Sequence, residues 1–90
     1  MNNINLDLLA LLCPEQAAER DAAFTEAIME DNWDHIRKYS IKYKHPIPEN
    51  EKAFKLGVCK TAYHSMNLPL AVKIAAADMA EDLGSDPYLN

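Results

Sequence analysis

Few residues in this chain have the type and spacing that catalysis or metal binding requires. The cysteines and histidines are Cys13, Cys59, His35, His45 and His64. None of them forms the closely spaced pairs that zinc sites use. Cys59 and His64 are five positions apart, which is about 500° of rotation on a helix, so they do not form a nucleophile and its base. The sequence predicts no enzyme, no metal site and no cofactor.

Charged residues offer a different kind of chemistry, because they are segregated along the chain. Residues 1–34 contain eight acidic residues and one basic residue, for a net charge of −7. Residues 35–73 have a net charge of +6, and residues 74–90 have a net charge of −4. Such blocks indicate either helices that attract one another within the fold or charged surfaces that bind a partner.

The binding alternative gives two candidate surfaces of opposite charge. The acidic candidates, which would imitate the phosphate charge of a nucleic acid towards a protein that handles one, are Glu15, Glu19, Glu26, Glu30, Asp31 and Asp34. The basic candidates, which would bind nucleic acid or a phosphate ligand directly, are Arg37, Lys38, Lys42 and Lys44. These cations lie in residues 35–45, interleaved with two tyrosines. Because the flanking acidic blocks repel nucleic acid, a protein that itself binds nucleic acid is the favoured partner.

Composition predicts which elements position these side chains. Glycine is scarce, alanine is abundant, and no segment alternates apolar and polar residues as a strand would. We therefore predict an all-α single domain over 1–90, a compact bundle of four or five short helices. Prolines and Gly84 divide the chain into predicted helices over 6–13, 14–29, 33–44, 48–66 and 69–83. Residues 85–90 are predicted to be loosely held.

Helical periodicity then predicts the buried faces. The predicted inward residues are Ala17, Phe24, Ala27, Ile28, Trp33, Ile36, Ser40, Tyr43, Phe54, Val58, Ala62, Met66, Val72, Ala76, Met79 and Leu83. Glu51 is predicted to pair with Lys55 at the next helical turn. Gly57 forms a row of small residues with Ala53 and Thr61. We expect that row to pack against another helix, with contact to a partner as the alternative.

The first predicted helix is apolar nearly all round, so its leucines cannot all face one core. One interpretation is a short helix inserted between the others. The alternative is a self-association surface that supports a homodimer, formed by Leu8, Leu9, Leu11 and Leu12. The run is too short and too interrupted to span a membrane, and no basic leader precedes it. We therefore expect a cytoplasmic protein with reduced thiols and no membrane partner.

Residues 33–87 resemble small uncharacterised helical proteins encoded by bacteriophages and prophages. The shared features are a W-x2-I-x2-Y helix start at Trp33, the linker PIPENEKAF, Gly57-Val58, Leu68-Pro69 and the closing L-G-x2-P. The resemblance implies a phage accessory protein, and it assigns no catalytic or ligand residue. Such proteins include stoichiometric inhibitors of host defence, anti-CRISPR proteins among them. The leading hypothesis is therefore a non-enzymatic interaction module of this kind, and a structural phage component is a further alternative.

Overall fold

Five helices form the regular structure that the computed structural model describes, which covers residues 7–84. They are α1 (Leu8–Leu12), α2 (Pro14–Glu30), α3 (Asp34–Lys42), α4 (Glu51–Tyr63) and α5 (Leu70–Asp82). Residues 7–84 contain no strand, and the predicted all-α helical bundle is confirmed. The predicted start of the first helix at Leu6, the closing Pro87 and the tail 85–90 lie outside the described residues.

Helix α2 is the centre of the bundle, because it contacts each of the other four helices. Its four predicted inward residues are all buried, as expected from their spacing. Ala23 and Ala27 are fully buried, and these small side chains allow neighbouring helices to approach closely. The second extensive interface joins α4 to α5, where Ala62, Ala76 and Ala80 are also fully buried.

Two aromatic residues connect α3 to α4 in the core. The rings of Trp33 and Phe54 meet edge to face with their centroids 6.0 Å apart. Each ring is also covered by a cation: Lys55 Nζ lies 5.2 Å from the Trp33 ring, and the Arg37 guanidinium lies 4.6 Å from Phe54. These contacts bury the aromatic faces while the charged ends of the side chains reach solvent.

Helix α3 follows the predicted pattern at its start and departs from it at its end. Ile36 and Ser40 are buried as predicted. Tyr43 was predicted to face inward but is only half-buried. Tyr39, one turn earlier, is the buried tyrosine of this helix. The prediction that the helix reaches Lys44 was wrong. Lys44 has a φ of 58°, in the left-handed region, which ends α3 two residues earlier.

Helix α4 begins later than the prolines suggested. Pro48 does not open it; Asn50 does, because its side chain accepts a hydrogen bond from the Ala53 N–H at 3.0 Å. The predicted pair of Glu51 with Lys55 was also wrong, since Glu51 instead accepts hydrogen bonds from Arg37. The helix ends at Tyr63. Met66 therefore lies beyond it and is exposed instead of buried.

Helix α5 begins one residue after Pro69 and is closed by Gly84, whose φ of 83° suits a helix C-terminus. Both boundary signals in the sequence are therefore confirmed. Val72 and Ala76 are buried as predicted, while Met79 and Leu83 are half-buried.

Candidate functional site

A buried ion network fixes the start of the described chain to the helices around it. The Arg20 guanidinium donates to both carboxylate oxygens of Asp7, at 3.0 and 2.7 Å. It also donates to Asp21 and to the Ser65 hydroxyl, at 3.0 and 3.1 Å. Ser65 in turn donates to Asp21, and the Met66 N–H donates to Asp7. The network therefore joins the residue before α1 to α2 and to the segment after α4.

This network is structural, because its polar groups are occupied by one another. The hydrogen bond from Arg20 holds the pKa of Asp7 well below its usual range, against the opposing effect of burial. Asp7 also caps α1 by accepting from the Ala10 N–H. Sequence reasoning missed these residues, since Asp7 and Ser65 are 13 and 45 positions from Arg20 and share no periodic pattern with it. The one sequence feature that could have indicated this network is Arg20 itself, the single basic residue within the acidic block of residues 1–34.

Helix α1 carries an exposed apolar face, which we call the leucine face: Leu8, Leu11 and Leu12. These side chains are 56%, 55% and 76% exposed. Their spacing puts them on one side of the helix, while Leu9 turns toward the bundle and is half-buried. Of the four leucines predicted for self-association, the structure therefore places three at the surface and one inside. Burying a leucine side chain is worth about 1.5–3 kcal/mol, so this face is a candidate protein interface.

An apolar cleft, here called the α3–α4 groove, opens between α3, the linker that follows it, and α4. Its volume is about 480 Å³, which lies within the usual range for binding pockets, roughly 300–1,000 Å³. The lining residues are Leu9, Arg20, Phe24, Ile36, Tyr39, Ser40, His45, Pro46, Pro48, Ala53, Phe54, Gly57, Val58 and Thr61. Most are apolar, and no element within residues 7–84 fills the groove.

Gly57 is open on the groove side of α4. A Cβ atom built on it would meet no heavy atom within 4 Å. Ala53 and Thr61, one turn away on either side, are likewise exposed and line the groove. The expectation that this small-residue row packs against another helix of the bundle was therefore wrong. A glycine inside a helix costs about 1 kcal/mol relative to alanine, and no contact among the described residues offsets that cost.

Four of the predicted acidic residues lie on one side of α2. Glu15, Glu19, Glu26 and Glu30 are separated by four, seven and four positions, which places them in one row along the helix. We call this row the acidic side of α2. Between Glu19 and Glu26 the same side of the helix carries the exposed Ala22, whose small side chain does not cover the neighbouring carboxylates.

Two of these carboxylates are held in place by α3. Glu19 accepts from Tyr43 at 2.8 Å and from Lys42 at 3.1 Å, and these bonds lower the pKa of Glu19. Glu26 lies 2.6 Å from His35 Nδ1. The predicted segregation of charge therefore acts partly within the bundle, where acidic α2 meets basic α3.

The remaining predicted acids divide by whether they have a partner. Asp31 accepts from the Trp33 indole at 2.8 Å, so it supports the core. Among residues 7–84, no hydrogen bond or ion pair engages the side chains of Glu15, Glu30 and Asp34, and all three are exposed. These three side chains are therefore open to solvent, without a partner among residues 7–84.

The four predicted phosphate-binding cations do not form one surface. Arg37 turns toward α4, where it pairs with Glu51 at 2.8 Å, and Lys42 turns toward α2, where it pairs with Glu19 at 3.1 Å. Lys38 and Lys44 are exposed and form no ion pair within the described part of the chain. Only half of the proposed basic site is therefore available to a phosphate group.

The two thiols lie in different environments. Cys59 is fully buried, and burial raises its pKa to about 11, so the thiol is neutral and a poor nucleophile at neutral pH. Cys13 is exposed at the junction of α1 and α2. Within residues 7–84 no three histidine, cysteine or carboxylate side chains come close enough together to hold a metal ion.

Comparison with protein-family models, with curated proteins and with solved structures gives no match. The class that the fold and surfaces define is a small all-α bundle. None of the helices between residues 7 and 84 has the length and apolar character needed to cross a membrane. The surfaces described above are therefore the features of the molecule that bear on its function.

Proposed function

We propose that this chain is a non-enzymatic interaction module that binds a basic surface of a partner protein through the acidic side of α2. The observation that carries the proposal is the row of four glutamates on one side of a central helix. Helix α3 fixes two of them, and the exposed Glu15 and Glu30 extend the row at both ends. Pre-positioned carboxylates lose little side-chain freedom on binding, which favours affinity.

The more specific proposal concerns the partner. A regular row of carboxylates offers a protein that handles nucleic acid a charge pattern like that of a phosphate backbone. Together with the resemblance of residues 33–87 to phage-encoded helical proteins, this supports a stoichiometric inhibitor of a host defence protein, of the anti-CRISPR kind. Such an inhibitor would act in the host cytoplasm. Its partner is proposed to be a protein and not the nucleic acid itself.

Affinity capture from nuclease-treated host lysate tests the proposal. The test variant is Glu15→Gln/Glu30→Gln/Asp34→Asn, which removes three charges from side chains that no described residue engages. The matched control is Asp78→Asn/Glu81→Gln/Asp82→Asn, which removes three exposed charges from α5. We expect wild type and control to capture the same basic protein, and the test variant to lose it. Capture that survives in the test variant, or that nuclease abolishes, would overturn the proposal.

Direct binding of nucleic acid is the competing function. Its specific support is the pair of cations Lys38 and Lys44, which are exposed and lack an ion-pair partner within residues 7–84. It is the weaker candidate because Arg37 and Lys42 are already paired with glutamates on different helices.

A further inference from the structure

The molecule carries two apolar features that nothing in residues 7–84 covers. One is the leucine face of α1, which projects from the surface. The other is the α3–α4 groove, which recedes into it and is deepened by the missing side chain of Gly57. We propose that the two are halves of one contact: the leucine face of one copy of this chain occupies the groove of a second copy. This inference does not depend on the proposed function.

Shape supports the second copy as the occupant. The groove of about 480 Å³ has room for more than one leucine side chain, and most of its lining residues are aromatic, aliphatic or proline. The open row of Ala53, Gly57 and Thr61 lets the backbone of a short helix approach α4 closely. Helix α1 has five residues and ends at Leu12, its most exposed leucine. It is therefore short enough to enter a groove of this size.

Charge supports the same occupant. Most of the groove walls come from residues 36–61, which contain seven basic and two acidic residues, and Leu9, Arg20 and Phe24 complete them. The cations Lys38, Lys44 and Lys60 are chain neighbours of lining residues. Residues 8–19 contain no basic residue, and the leucine face is followed, after two intervening residues, by Glu15, an exposed carboxylate that no described residue engages. The apolar helix α1, followed by the carboxylate of Glu15, is therefore complementary in charge to an apolar groove whose neighbouring residues include several cations.

Placement supports a closed dimer and not an open chain of subunits. Leu9 lines the groove of its own copy, so the leucine face and the groove lie on the two sides of the same short helix. Because the leucine face and the α3–α4 groove are adjacent, each copy in a two-fold pair can insert its leucines into the groove of its partner while its own groove is filled by the partner's leucines. Such a pair buries both apolar features in one symmetric interface.

The experiment measures self-association by analytical ultracentrifugation, with circular dichroism as the check on folding. Leu12→Glu places a charge on the leucine face. Gly57→Leu places a side chain in the groove at a helical position where an added Cβ atom meets no heavy atom within 4 Å, and Ala53→Glu is a second groove variant at an exposed site. Leu70→Glu is the control, because Leu70 is 71% exposed on α5 and lines neither feature. We expect wild type and control to dimerise, and each of the three test variants to raise the dissociation constant roughly tenfold or more while remaining helical.

A mixture of the two kinds of variant distinguishes this arrangement from other modes of dimerisation. In an equimolar mixture, the intact leucines of Gly57→Leu can enter the intact groove of Leu12→Glu. We therefore expect two monomeric variants to associate when combined. A monomeric wild type, groove variants that dimerise normally, or a mixture that stays monomeric would overturn the inference. The second of these outcomes, normal dimerisation of the groove variants, is what pairing of one leucine face with another would give.

Discussion

The Arg20 guanidinium and the Asp7 carboxylate form two parallel hydrogen bonds, at 3.0 and 2.7 Å, between side chains that are less than a tenth exposed. Paired geometry of this kind is the strongest form of ion pair that these residues can make. It attaches the start of α1 to the middle of α2, and through Ser65 and Met66 it reaches the segment that joins α4 to α5. The position of the leucine face therefore depends on this pair.

Replacement of Arg20 should be the most damaging change of a charged residue. Arg20→Met keeps much of the side-chain volume but leaves Asp7 and Asp21 buried without their partner. Breaking a buried pair in this way costs about 3–5 kcal/mol, and we expect a loss of that size in the free energy of unfolding, measured by urea denaturation. Lys38→Met, at an exposed cation, is the control and should change stability by less than about 0.5 kcal/mol. A loss below about 1 kcal/mol for Arg20→Met would show that the network contributes little.

Stability should fall at acidic pH because of Asp7. Its pKa is depressed in the folded state, so the unfolded chain binds the proton more readily as pH decreases. The contribution is complete above the unfolded pKa of about 3.9 and is lost progressively below it. Thermal unfolding from neutral pH to about pH 3 should show this decline, and Asp7→Asn should reduce the pH dependence while lowering stability at neutral pH. An identical pH dependence in both proteins would rule out Asp7 as the titrating group.

Local patterns predicted most of the bundle because helices are specified by nearby residues. Apolar spacing identified the buried face of α2, and Pro69 and Gly84 marked the limits of α5. The errors arose where two local signals competed. Pro48 resembled a helix start, yet the side chain of Asn50 caps the N-terminus of α4.

The surfaces were harder to predict, because they depend on contacts between distant segments. The basic candidates Arg37 and Lys42 are neighbours in sequence but pair with different helices. Gly57 is exposed because no other element of residues 7–84 packs against its side of α4, which no periodicity in the sequence indicates. By contrast, the excess of leucine in α1 was visible in the sequence, and three of those leucines are at the surface.

Trp33 is 8% exposed and joins α2, α3 and α4 through one side chain. Trp33→Ala should therefore destabilise the fold by about 3–5 kcal/mol, as large-to-small core changes do. Asp31→Ala removes the acceptor for the indole N–H and places alanine at a left-handed backbone position with a φ of 55°, so it should cost about 1–2 kcal/mol. Chemical denaturation followed by circular dichroism measures both. Equal effects of the two substitutions would mean that the hydrogen bond, and not packing of the ring, dominates.

The two thiols should differ strongly in reactivity. Cys13 is exposed, whereas Cys59 is fully buried with its pKa raised to about 11. Under native conditions a disulfide reagent should modify one thiol quickly and the second only as the protein unfolds. Cys13→Ser should remove the fast phase, and Cys59→Ser should leave it unchanged. Rapid modification of two thiols in the folded wild type would contradict the buried position of Cys59.

Direct binding of nucleic acid should be weak, and its salt dependence should show how many cations take part. Only Lys38 and Lys44, of the four candidates, lack an ion pair within residues 7–84. Each neutralised phosphate adds about 0.9 to the log–log salt slope on duplex DNA, so two cations give a slope no steeper than about −2. Fluorescence anisotropy with a labelled duplex at several salt concentrations measures this value, and Lys38→Ala/Lys44→Ala should abolish the residual binding. Arg37→Ala/Lys42→Ala is the matched control, which removes two paired cations and should leave the slope unchanged. Tight binding with a slope near −4 would show that all four cations reach phosphate, and it would favour the competing function.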